Sequence, residues 1–170
     1  MITNEQILSL VNDVAYLEHE AEALKYVIDT VPYMEKPAKN GSSIVETLLF
    51  LDHAQQEYFR KVIESTLYNN RPINLNSYLD PEETFEMDND KAKDVQKILY
   101  KIAKHRAAII MMIENRPIID WEKTIVKGRD SITLFSFVQS MVRKERIILK
   151  EIADLILSFQ NKQFQKEGNL

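Results

Sequence analysis

Arg106 and Glu145 are charged side chains standing where apolar ones are expected. A helical projection puts Arg106 among Leu99, Ile102, Ile109, Ile110 and Ile113, and Glu145 among Val138, Met141, Leu149 and Ile152. An isolated charge inside a core is very costly, so each needs a partner. Measured back from the loop between their helices, the two lie at depths differing by about four residues, roughly 6 Å at 1.5 Å per residue. An Arg106–Glu145 ion pair inside the molecule, or lining a pocket, is the expectation. It has two readings: an interior salt bridge that sets helix register, or a polar floor for an anionic ligand to which neighbouring Lys144 adds charge.

The three histidines separate by position. His19 lies opposite an apolar stripe, between Glu18 and Glu20, and belongs in solvent. His53 sits at the edge of an apolar sector near Leu49, Gln56 and Arg60; local pairing with Glu57 at i+4 is its expected use. His105, beside Lys104 and Arg106, reads as a partly buried structural histidine. With no cysteine, disulfides, thiol catalysis and thiolate metal sites are excluded. No Glu-x-x-His pair, P-loop, dinucleotide fingerprint or nucleophile elbow occurs. The six acids from Asp80 to Asp90 lack the alternation and glycine of a calcium loop. Met111, Met112 and the phenylalanines within 131–159 read as core filling, and Trp121 as packing for a loop.

Four long helices must position these groups, over about 3–31, 43–67, 90–114 and 131–159. The first carries Ile7, Leu10, Val14, Leu17, Ala21, Leu24, Ile28 and Val31 at a period of 3.6, behind a Thr3/Gln6 capping box. Pro32, Pro37 and an Asn40-Gly41-Ser42 turn end it. Ser43, with Glu46 as its reciprocal partner, caps the second, and Asn89 or Asp90 caps the third. Residues 69–89 read as an extended link. At about 3.3 Å per residue it can span helix 2 and return the third helix parallel to it. Residues 161–170 are polar and expected to fray. The fold class is all-α, a four-helix bundle with a long crossover between helices 2 and 3, in a single domain over 1–160.

Two stretches resemble the DinB/YfiT-like family. Ser43-Ile44-Val45-Glu46-Thr47-Leu48-Leu49-Phe50-Leu51 is similar to that family's S-x-x-E-x-L-x-H-L, and Thr133-Leu134 through Glu151-Ile152 to its T-L…H-x-x-x-H-x-x-Q-I. The resemblance implies one divalent metal held by three histidines, metal-dependent hydrolase or thiol-dependent transferase chemistry, and a homodimer. Ungapped, the three histidines fall on Phe50, Lys144 and Ile148. Phe and Ile have no donor atom, and a protonated Lys has no free lone pair. These slots read as filled and mostly dry. One reading is a diverged, metal-free member acting as a small-molecule or protein-binding module, with no cofactor. The other is an enzyme with Zn or Ni at a site relocated to His53, although zinc usually takes three or more protein ligands. Any polar pocket would draw on Arg106, Glu145, Lys144, His53 and His105.

A net charge of −4 leaves no electrostatic footprint for nucleic acid or an anionic membrane. Three glycines and five prolines in 170 residues suit few, long elements. Met1-Ile2-Thr3-Asn4-Glu5 has neither a basic nor an apolar leader region, and a cytoplasmic location is expected.

Overall fold

The computed structural model describes residues 1–37 and 41–169. Asn40, the first residue of the expected turn, lies outside the described residues. Helix α1 (Asn4–Leu24) opens on Thr3, whose hydroxyl accepts from the Gln6 amide at 3.2 Å while the Gln6 side chain accepts from the Thr3 amide at 3.0 Å. It ends about two turns before the expected Val31, with a 3-10 turn at Ile28–Thr30. The physical reason is local: Val27, Ile28, Thr30 and Val31 are β-branched, and Val31, preceding Pro32, is extended at φ −126°. Ile28 and Val31 are buried all the same.

The second limb is continuous but not uniform. α2 (Ile44–Ala54) passes through a π-helical turn at Gln55–Phe59 into α3 (Arg60–Tyr68). Ser43 accepts from the Glu46 amide at 3.2 Å; the Glu46 carboxylate lies 3.9 Å from Lys36 Nζ instead of closing the box. Ser43→Ala should therefore cost about 1 kcal/mol, read from the urea midpoint.

The link after α3 crosses over as expected, and it is built rather than structureless. It holds β1 (Ile73–Asn74), α4 (Pro81–Thr84) and α5 (Asn89–Ala92). The acids of this segment have a local use: Asp80 accepts from Glu82 N at 2.9 Å, and Asp88 from Asp90 N and Lys91 N, each at a helix start. Asp94 caps again, so the third limb is α5 followed by a fresh helix α6 (Val95–Ile113). Asp52 and Gln55 lie beside His105 and Arg106, and Leu49 and Ile98 share a cavity wall, so residue numbers rise together and the two limbs run parallel.

Between α6 and the last helix come α7 (Ile118–Trp121) and a hairpin, β2 (Thr124–Lys127) and β3 (Asp130–Thr133), so Ser131–Thr133, expected as the start of the fourth helix, are strand paired to β2. β2 pairs parallel to β1 and antiparallel to β3, closing a three-stranded sheet of order β1-β2-β3. Gly128, at φ +63°, takes the first central position of the two-residue turn, where glycine is favoured. Trp121 is buried there against Phe135, ring centroids 6.2 Å apart. Thr133 caps α8 (Leu134–Gly168), which continues through the segment expected to fray. No glycine or proline interrupts it before Gly168, and Gln163 Nε2 donates to the Thr30 carbonyl at 3.4 Å. Of the expected core filling, Met111 is exposed, because it lies on the outer face of α6.

The buried apolar residues form two clusters, not one. Leu51, Ala103 and Leu149 belong to the first; Ala54, Ile109 and Val142 belong to the second. Gln55, Arg106 and Glu145 lie between them, all buried.

Candidate functional site

That polar layer is where the expected ion pair forms. Arg106 Nη2 donates to Glu145 Oε1 across the α6–α8 contact, and Arg106 Nε donates to Gln55 Oε1 at 3.2 Å. Gln55 opens the π-helical turn, so the widened segment of the second limb supplies the third member. Such turns are frequent at functional positions. Burial pushes the Glu145 carboxyl above the ordinary glutamate range, and the Arg106 charge and hydrogen bond pull it back. Gln55 Nε2 is buried without a partner among the described residues.

Phe50, Lys144 and Ile148 come together on the wall of one cavity of about 320 Å³, with Tyr58, Asp80, Glu82 and Glu145. A second cavity, about 670 Å³, adjoins it through the shared residues Phe50, Glu82 and Ile148, and extends along α8 to Glu151 and Leu155. The three slots therefore border an open cleft, contrary to the expectation that they are filled and dry. Lys144 is exposed, and Phe50 and Ile148 are half-buried. The crossover roofs the cleft: Phe85 packs edge-on against Phe50 with centroids 5.5 Å apart. Burial, with the Asp80 carboxylate adding to it, pushes the Tyr58 phenol up.

Arg106 lines neither cavity. Its guanidinium is fully buried and turned to Gln55 and Glu145, so an anionic ligand in the cleft would lack the cation that reading required. His53 does not pair with Glu57, which meets Lys61; its Nε2 lies 2.9 Å from Thr84 Oγ1 of the crossover. His105 belongs to a separate cluster, with Nε2 3.3 Å from Asp52 Oδ1 and Nδ1 3.4 Å from Arg60 Nη1. His19 is exposed. Asp52, Gln55 and Tyr58 were not singled out from the sequence. The available signal was spacing: Asp52 and Gln55 follow Leu48 and Leu51 at i+4, on the inward face.

Among the described residues, no group of three or more His, Cys, Asp or Glu side chains could hold a metal ion. Phe, Lys and Ile supply no ligand at the three converging positions, and His53 is turned to Thr84. The donor set does not fit a divalent metal.

The fold is that of the YfiT/DinB-like four-helix bundles. It matches YfiT from Bacillus subtilis, described as a probable metal-dependent hydrolase with an unusual four-helix bundle topology, at a TM-score of 0.74. The match spans 91% of this chain and 88% of that one at 12% identity. No family model matches the sequence.

Proposed function

We propose that this protein is a metal-free, diverged member of that structural class whose cleft binds a small molecule. The observation that carries the reading is the convergence of Phe50, Lys144 and Ile148, none of them a ligand, on the wall of one open cavity. A cleft with apolar walls and a few polar groups is the usual form of a small-molecule site. Chemistry at a relocated metal near His53 is the competing reading, and metal content separates them. Protein purified without chelator should carry less than about a tenth of a divalent ion per chain, and Zn²⁺ or Ni²⁺ should leave its melting temperature unchanged. Stoichiometric metal, or a rise that His53→Ala abolishes, would establish the competing reading.

The resemblance also implies a homodimer. Exposed Ile147, Leu157 and Phe164 of α8 offer apolar surface for one, and sedimentation equilibrium at twice the chain mass is the expected result. Among the described residues no helix is long and apolar enough to cross a membrane; the cytoplasmic location is a proposal from the sequence.

A further inference from the structure

The chemistry of the cleft wall narrows the ligand. Glu145 borders the smaller cavity while only 3% exposed. Arg106 engages its Oε1, and no donor among the described residues engages Oε2. Oε2 is therefore the oxygen of the pair left to accept from a donor in the cavity, and a charged acceptor there favours a charged donor. Asp80 and Glu82 stand on the same wall, against Lys144 as the one base lining it among the described residues. The adjoining cavity adds Glu46, Glu151 and Asp154. Lys36 and Lys150 stand 3.9 and 3.4 Å from Glu46 and Asp154, but no described base lies within 4 Å of Glu82 or Glu151. Between these acids the floor is apolar and aromatic, formed by Phe50, Tyr58, Phe59 and Ile148.

We propose that the cleft selects an organic cation, an ammonium group carried on an apolar body, with the ammonium donating to Glu145 Oε2 and the body lying on Phe50 and Ile148. This rests on the small-molecule reading above and adds the class of ligand. A protonated amine brings donors to a wall on which three carboxylates face one base, and aromatic faces stabilise a nearby cation further. A metal ion does not suit the same wall, because the carboxylates are spread around an apolar floor and do not converge.

The test uses three probes of nearly one shape: 4-phenylbutylamine, 4-phenylbutanol and 4-phenylbutyrate. Each is titrated into the full chain by calorimetry, with amide chemical shifts locating the site. The expected result is saturable binding of the amine, with shifts at Phe50 and Ile148, at least about tenfold tighter than either other probe. Glu82→Gln should weaken the amine about two- to threefold and leave the alcohol unchanged. Glu145→Gln should erase the preference; should that variant not fold, Arg106→Met combined with Glu145→Met removes both buried charges and serves the same purpose. Equal binding of all three probes in the cleft overturns the cation assignment and leaves the small-molecule reading standing. An amine preference that survives loss of Glu145 also overturns it, as bulk attraction to a net-negative protein. If none of the probes shifts residues of the cleft, both readings fall.

Discussion

Arg106→Met lowers the unfolding free energy by about 3–5 kcal/mol, because it leaves Glu145 buried without its counter-charge. The loss is measured from urea denaturation, and the double variant Arg106→Met, Glu145→Leu supplies the contrast. Two apolar side chains in place of a buried pair are often neutral or stabilising, so the double variant should recover most of the loss. The loss also depends on pH. The Glu145 carboxyl is raised in the folded protein, so the native state binds more protons than the unfolded state between the ordinary glutamate range and the raised one. That contribution to stability is present at acid pH and disappears as pH rises through the folded value. Without Arg106 the carboxyl rises further, so the deficit of Arg106→Met should shrink as the solution is acidified. A loss of only a few tenths of a kcal/mol at neutral pH, or a loss independent of pH, would show that the pair is not buried as described.

A triple substitution of Phe50→His, Lys144→His and Ile148→His should create a site for Ni²⁺ or Zn²⁺ where the natural sequence has none. The three positions share one cavity wall, and 144 and 148 are one helical turn apart on α8, which puts two imidazoles on one face. Metal at a hundredfold excess over its Kd stabilises by about 2.7 kcal/mol, a rise in Tm of roughly 5–10 °C for a chain of this size. The single variant Phe50→His should show no such rise, since one ligand is too few. A folded triple variant that takes up no metal would mean that the three positions do not share a metal-sized centre.

How far the sequence could be read depended on whether a feature was local. The Thr3 and Ser43 caps, the apolar stripes and the inward placement of Arg106 and Glu145 all follow from spacing along one helix, and all are present in the structure. The crossover was legible as a length. Its strand and short helices were not: Ile73–Asn74 is a strand because of its pairing to Ile125 and Val126, some fifty residues away. The partner of His53 was missed for the same reason. Thr84 is 31 residues distant, and helical periodicity sees only the turn on either side. Gln55 was passed over because a neutral amide carries no cost alarming enough to flag it, whereas a buried charge does.

By itself, the sequence determined an all-α bundle with its crossover, the absence of metal-binding side chains from Phe50, Lys144 and Ile148, and the need of two interior charges for each other. The tertiary structure alone decided what those facts amount to. It placed the three slots on an open cleft, turned Arg106 away from that cleft, and left one oxygen of Glu145 on its wall without a partner. Side-chain type is written in the chain; which face of a charged pair meets the cavity depends on how three helices and a crossover pack, and no local pattern encodes that.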